Sequence, residues 1–333
     1  MNEEIIGVIK SEQYDPWLNL AFEEYLLDNI HPDEVILFLW QNKNTVVIGR
    51  NQNAWRECST ILLEKEDGKL ARRLSGGGAV YHDTGNLNYT FITGNNKFNL
   101  DKQYRVILNA VQKLSIPAIM TGRNDLVADG RKFSGNAFCH RNNGSYHHGT
   151  LLVNVDMDKL SRYLRVSIEK MNAKGVKSVK SRVVNLNEFV PSLNVADISE
   201  RLIESFEELY GKTLYRKTGF NEFDMDKVME LYEKYSSWNW IYGETPAFDL
   251  EINDKFQWGE IQLQFKLKEG IIKKAVAYSD AMDEDFILLL PECFIGKSPG
   301  DVEIFEKLRS KFSEDKHKQA VSDIIEMLGN RDL

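Results

Sequence analysis

Arg72-Arg73-Leu74-Ser75-Gly76-Gly77-Gly78-Ala79-Val80-Tyr81-His82-Asp83-Thr84-Gly85-Asn86 puts two cations, three consecutive glycines and an imidazole in one short loop. Residues 70–74 and 79–81 on its flanks, and 87–92 beyond, have strand composition. A glycine loop that runs from strand to strand is not the strand-to-helix turn of a dinucleotide-binding unit, and Tyr81 stands where that fingerprint needs its last glycine. Consecutive glycines remove the side chains that would keep a ligand from main-chain N–H groups, and they permit φ > 0, which turns those groups toward one point. Arg72 and Arg73 add planar donors suited to carboxylate or phosphate oxygens. A plain glycine turn reads the same way in isolation; the rest of the chain decides between the two.

Outward from this loop the patterning is that of hairpins rather than β-α-β alternation, which predicts an α+β fold with a mixed sheet. Asp15-Pro16 followed by Trp17, Leu20, Ala21, Phe22, Tyr25 and Leu26 reads as a capped amphipathic helix. Residues 35–40 and 45–49 read as strands joined by a hairpin loop at 41–44, and 101–114 as a helix stopping before Pro117. Strands are expected at 125–128 and around Lys132, with Asp129-Gly130 as the turn between them, and again at 147–155. Residues 158–235 read as mostly helical with an irregular loop, and 256–267 with 271–277 as a strand pair across 268–270. The expected division is a large domain, 1–247, and a small α/β appendage, 248–333.

A net charge of −8 argues against nucleic acid as the main partner, since phosphate neutralisation needs a basic face. Three widely separated cysteines, Cys58, Cys139 and Cys293, indicate neither a disulfide framework nor a zinc site. The acidic Met1-Asn2-Glu3-Glu4 start and the absence of a long apolar run predict a cytoplasmic protein without membrane attachment. Gly211-Lys212-Thr213 and Gly296-Lys297-Ser298 mimic the end of a P-loop, but Phe206 and Pro291 occupy the place of its first glycine.

Three further constellations carry chemistry. In the first, Asn124-Asp125-Leu126-Val127 precedes the Asp129-Gly130 turn and Arg131-Lys132-Phe133-Ser134-Gly135-Asn136, which puts Asp125 across a hairpin from Lys132; small residues behind the lysine let a ligand approach backbone, and a surface lysine on an exposed strand face is the other reading. The second is His147-His148-Gly149-Thr150; neighbouring strand residues face opposite ways, so the two imidazoles do not share a metal, and one is expected to hydrogen-bond within the sheet. In the third, residues 159–182 hold Lys159, Arg162, Arg165, Lys170, Lys174, Lys177, Lys180 and Arg182 against one acid, Glu169, the composition of a basic loop that orders over a phosphate-bearing ligand or of a solvated linker.

These segments, in this order, resemble the lipoate-protein ligase family. The likeness is carried by Tyr14-Asp15-Pro16-Trp17, Val47-Ile48-Gly49-Arg50-Asn51-Gln52-Asn53, the glycine loop, Gly122-Arg123-Asn124-Asp125-Leu126-Val127, Arg131-Lys132-Phe133-Ser134-Gly135, His147-His148-Gly149-Thr150, Ala173-Lys174-Gly175 with Ser178-Val179-Lys180-Ser181-Arg182, and Trp238-Asn239-Trp240-Ile241-Tyr242-Gly243. The resemblance implies a catalytic domain of the biotin-ligase and class II synthetase type, plus a C-terminal accessory domain. It implies a two-step reaction in which lipoate and Mg-ATP give lipoyl-AMP and pyrophosphate, and a lysine of an apo lipoyl domain of a 2-oxoacid dehydrogenase, or of the glycine-cleavage H protein, then takes the acyl group.

In that reading Lys132 is the catalytic lysine, on the carboxylate and α-phosphate oxygens. Ser75, Gly76, Gly77, Gly78 and Ala79 line the acyl carbonyl and phosphate, with Arg72 as charged support. Asp125, or Asn124 beside it, holds Mg²⁺ or the adenosine-side phosphate, and Trp40 and His82 flank the acyl tunnel. Ser134, Gly135, His148, Gly149 and Thr150 complete the ATP and lipoate contacts, and a loop carrying Lys174, Ser178, Val179 and Arg182 closes over the adenylate. A biotin ligase, an ATP-independent lipoyl or octanoyl transferase and a non-catalytic paralogue that binds lipoyl domains are the alternatives; nothing in the chain demands a dimer, and a monomer is expected.

Overall fold

Local chemistry sets the boundaries of the first elements. Asp15 caps the Pro16–Asp28 helix by accepting from the Trp17 N–H at 3.0 Å, with Pro16 in the first turn where its missing N–H costs nothing. Asn99 caps the Leu100–Gln112 helix in the same way. The computed structural model describes residues 5–121, 125–165, 182–243 and 248–329. Its strands are β1 (Ile5–Lys10), β2 (Glu34–Trp40), β3 (Thr45–Ile48), β4 (Lys69–Arg72), β5 (Val80–His82), β6 (Asn86–Gly94), β7 (Ala118–Thr121), β8 (Asp125–Ala128), β9 (Arg131–His140), β10 (Gly144–Leu152), β11 (Tyr215–Thr218), β12 (Leu250–Phe256), β13 (Gly259–Lys268) and β14 (Ile271–Ser279).

Contacts divide the chain into two units. The first comprises Met1–Ile48, Ala54–Arg73 and Ala79–Ile241. Its main sheet has the order β11-β1-β2-β6-β10-β9-β8-β7, with β1 parallel to both neighbours and the remaining pairs antiparallel. One face is covered by the Leu100–Gln112 and Val195–Tyr210 helices, which bury Tyr89, Phe91, Leu126, Phe133 and Phe206 in one core. The other face receives the Pro16–Asp28 helix, whose Phe22 ring packs 5.4 Å from Phe38 and 3.9 Å from Phe220. Phe22 is fully buried, so truncation to alanine removes about 3–5 kcal/mol of stability.

The second unit comprises Gly49–Asn53, Leu74–Gly78 and Tyr242–Leu333. Strands β12, β13 and β14 form an antiparallel meander whose inner face packs Ile261, Leu263 and Phe265 on the helices that follow. The strand expected over 256–267 is in fact the end of one strand and the next, with the hairpin turn ending at Gly259 (φ 157°). No helix among the described residues is long and apolar enough to cross a membrane.

One expectation about connectivity fails. Residues 41–44 do not close a hairpin: β2 pairs with β1 and β6, whereas β3 pairs with β4 and β5 in a separate three-stranded sheet. The segment is polar because its amides are used internally. The Asn19 Nδ2 group donates to the Gln41 carbonyl at 2.9 Å and to the Asn42 Oδ1 at 3.1 Å, and Asn42 is fully buried.

Candidate active site

The β8–β9 hairpin turns at Asp129 (φ 51°) and Gly130 (φ 70°), the left-handed pair that a two-residue type I′ turn requires. Beyond the turn the register slips. Val127 pairs with Lys132, yet Leu126 pairs with Ser134, which leaves Phe133 as the extra residue of a β-bulge. In an unbroken strand Lys132 and Ser134 would share a face. The bulge separates them: Ser134 goes with Leu126 into the helix-packed core, and Lys132 goes with Asp125 and Val127 to the open face.

There the Lys132 Nζ lies 2.7 Å from Asp125 Oδ1, as the sequence suggests. A Cβ at Gly135 would stand 2.9 Å from that ammonium, so the absent side chain is what gives the lysine its place. The Gly135 N–H points to Thr150 Oγ1 at 3.4 Å, and the Lys132 N–H donates to the Arg182 carbonyl at 2.8 Å. Lys132, Asp125, Gly135, Thr150 and the backbone of Arg182 are thus brought together, with Lys132 and Asp125 each over a third exposed.

Further along the same face, register aligns Thr150, Asn88 and Trp40 across β10, β6 and β2. Trp40 is buried and donates its indole N–H to Thr90 Oγ1 at 3.0 Å; Thr90 donates to Glu23 at 2.6 Å, and Glu23 also meets His148 Nδ1 at 3.0 Å. The Trp40 and His82 rings meet edge to face at 6.2 Å. Burial, then the nearby Arg73 and His148, push the His82 imidazole down to about 3, so it is neutral. Asn42 Nδ2 donates to its Nδ1 at 3.1 Å, which leaves the proton on a buried Nε2 that has no partner among the described residues.

The two arginines divide. Arg72 is buried, and its guanidinium donates from Nε to the Trp240 carbonyl at 2.9 Å and from Nη2 to the Ile241 carbonyl at 2.6 Å. Trp240 returns its indole N–H to the Arg72 carbonyl at 2.8 Å. Arg72 is thereby a clasp on the Trp238–Tyr242 helix end rather than a donor held ready for an anion. Arg73, expected with Arg72 as a planar donor for an anion, is the arginine whose charge acts on His82.

In the second unit the glycine loop packs against protein backbone. The Gly77 N–H (φ 86°) donates to the Ala281 carbonyl at 3.1 Å, and the Arg50 N–H to the Ser75 carbonyl at 2.9 Å. A Cβ on Gly76 would lie 2.3 Å from the Ala281 oxygen, and one on Gly49 2.1 Å from the Gly77 oxygen; one on Gly78 meets nothing within 4 Å. Close approach is what these glycines permit, and at Gly76 the approaching group is backbone. Ala79, which follows, is half-buried.

Two expected ligand contacts face elsewhere. The Ser134 hydroxyl lies 3.1 Å from the Tyr89 hydroxyl in the core, because the bulge turns it away from Lys132. Gly149 is a glycine because a Cβ there would stand 2.4 Å from Tyr89 Oη and 2.8 Å from Asn136 Oδ1. Cys139 is buried in β9. Asn124, Lys174, Ser178 and Val179 lie outside the described residues.

A mixed sheet with this lysine on its open face defines an α+β protein of class II synthetase-like architecture. Residues 15–207 match the family model for the lipoyl protein ligase A/B catalytic domain, and 245–328 that for the bacterial lipoate protein ligase C-terminus. The chain is 42% identical to lipoate-protein ligase A of Psychrobacter cryohalolentis, covering 93% of this chain and 92% of the relative. It is 40% identical to that of Blochmanniella pennsylvanica, covering 87% and 88%. LipL1 of P. falciparum, solved in complex with lipoate, superposes with a TM-score of 0.82 at 28% identity over 98% of this chain and 100% of that one. A lipoate-protein ligase A bound with ATP gives 0.63 at 25% identity, over 73% and 99%. The chain belongs to the lipoate-protein ligase A family.

Proposed function

We propose that the protein joins lipoate to acceptor lysines at the expense of ATP, through lipoyl-AMP. The observation that carries this is the Lys132 ammonium, seated over the bare Gly135 backbone 2.7 Å from Asp125, in a chain matched almost end to end by lipoate ligases. In the first step a lipoate carboxylate oxygen bonds to the α-phosphorus of ATP, and the bond to pyrophosphate breaks. Negative charge gathers on the α-phosphate oxygens in the transition state, where fixed cationic donors act most strongly, at about 3 kcal/mol per well-placed group. Asp125 takes one of the lysine's three N–H donors and leaves two for carboxylate and phosphate oxygens. In the second step the acceptor amine bonds to the acyl carbon, AMP departs and the amine's extra proton goes to solvent.

Trp40, locked by Thr90, and neutral His82 border the acyl chain in this reading. Gly78, the glycine with open space above it, offers backbone to phosphate, with Ser75 and Ala79 beside it. Asp125 would be the residue to hold a Mg²⁺ ion, which would supply neutralisation of phosphate charge. Residues 1–247 act as the adenylating domain and 248–333 as the accessory one. A structural neighbour, the bipartite lipoate protein ligase of Thermoplasma acidophilum, is described with its E2 lipoyl domain, which supports lipoyl domains as acceptors. In this proposal the H protein is a second acceptor and the enzyme is a cytoplasmic monomer.

The test is lipoate-dependent exchange of labelled pyrophosphate into ATP, with biotin and octanoate run in parallel. Exchange with lipoate is expected; a folded protein that exchanges with none of the three, or only with biotin, overturns the reading.

A further inference from the structure

The back of β9 carries a polar network that the reaction does not use. Tyr89, from β6, reaches under Gly149 of β10 and donates its hydroxyl to Asn136 Oδ1 of β9. Its oxygen meets Ser134 Oγ at 3.1 Å, and Asn136 Nδ2 lies 3.5 Å from the same Oγ. His147 Nε2 lies 2.7 Å from Asn136 Oδ1, and its Nδ1 lies 3.1 Å from Gln103 Oε1 of the Leu100–Gln112 helix. The ring is enclosed by Tyr89, Phe91, Tyr104 and Phe138, with centroids 4.9–5.9 Å away. All five polar residues are at least nine-tenths buried.

Burial holds His147 well below the ordinary histidine range, so the ring carries one proton. Asn136 Oδ1 can only accept, which puts that proton on Nε2 and makes Nδ1 an acceptor. An acceptor facing Gln103 Oε1 is unsatisfied, and the Gln103 Nε2 group is itself buried without a partner. Turning the nearly isosteric amide end for end satisfies both. The network then runs in one sense, from Gln103 NH₂ to His147 to Asn136, where Tyr89 converges.

This matters at the bulge. A β-bulge interrupts the ladder, so the β8–β9 pairing alone does not hold Phe133 as the extra residue; a one-residue slip sends Lys132 to the core face. Ser134 and Asn136 flank Gly135; Tyr89, two strands away on β6, holds both, and His147, on the adjacent β10, holds Asn136. We propose that Tyr89, Asn136 and His147 are positioning residues, a polar staple under the sheet that fixes the bulge and thereby keeps Lys132 on the reacting face. The inference rests on Lys132 being the adenylating lysine.

Misplacing a donor by a fraction of an ångström weakens the transition state more than the ground state. Tyr89→Phe is therefore expected to lower kcat for pyrophosphate exchange about tenfold, with the lipoate KM within about twofold of wild type. His147→Gln, which keeps an N–H donor, is expected to retain more kcat than His147→Leu. In the wild-type protein, ¹⁵N spectra are expected to show His147 with Nε2 protonated and Nδ1 bare, a readout independent of whether any variant folds. A normal kcat in Tyr89→Phe, kcat and KM changing together, equal loss in both His147 variants, or the opposite tautomer each overturns the staple. Lys132→Ala separates this from the reading beneath it: exchange surviving in Lys132→Ala defeats the role of the lysine, whereas its loss there beside a normal Tyr89→Phe defeats only the staple.

Discussion

The front and back of the β8–β9–β10 strands are built from the same short segments, yet they follow opposite rules. On the front, Lys132 and Asp125 are each over a third exposed and paired with one another. On the back, Ser134, Asn136 and His147 are closed in and bonded to fixed partners. Adjacent histidines show the contrast within one strand: His147 meets neutral amides among aromatic rings, and His148 meets the Glu23 carboxylate on the opposite face. The front is arranged for charge and the back for shape, so equivalent mutations should fail differently.

The largest effect should come from the front. Lys132→Ala is expected to lower adenylate formation at least about a hundredfold, close to the 3 kcal/mol of one preorganised donor, with the thermal midpoint little changed. A near-normal exchange rate would remove the lysine from the mechanism.

The paired glycines sharpen the contrast. Gly149→Ala forces a methyl onto Tyr89 Oη and Asn136 Oδ1 in a closed core and should cost about 1–3 kcal/mol in urea unfolding. Gly135→Ala pushes only on the flexible Lys132 ammonium, and should leave stability within about 0.5 kcal/mol while lowering exchange roughly tenfold. Equal stability losses in the two variants would break the distinction between the faces.

Acid should find the buried imidazoles. His82 is held down to about 3 and His147 well below the usual range, so each is neutral when folded and takes a proton when unfolded. Their contribution is complete above the unfolded value of about 6.5 and is lost as pH falls toward the folded values, at about 1.4 kcal/mol per pH unit for each histidine. Denaturant midpoints at pH 7, 6 and 5 should fall accordingly, and His82→Asn should flatten the slope; an unchanged slope contradicts the burial argument for His82. Smallest is Glu23→Gln, which keeps an acceptor for Thr90 and should alter exchange only a few fold, measured as lipoate KM.

Local rules made much of this molecule legible. Asp15 before Pro16 announces a helix, Asp129-Gly130 a tight hairpin, and that turn a place for Asp125 across from Lys132, because each depends on atoms a few residues apart. The ordered motifs likewise announce the family. Residues 41–44 misled because buried amides and turn amides have the same composition. The glycine loop was legible as a place of close approach, but what approaches Gly76 is the Ala281 carbonyl, more than 200 residues away along the chain.

The sequence by itself determined the inventory: a lysine and an aspartate about a turn, two neighbouring histidines, a run of glycines and caps at the helix starts. Tertiary structure alone decided the faces. One extra residue in β9 sends Lys132 forward and Ser134 back, and the end of β4 gives Arg72 to the Trp240 and Ile241 carbonyls while Arg73 acts on His82. Side-chain direction in a sheet has a period of two, so it depends on register, and register is set by partners that lie far away in the chain.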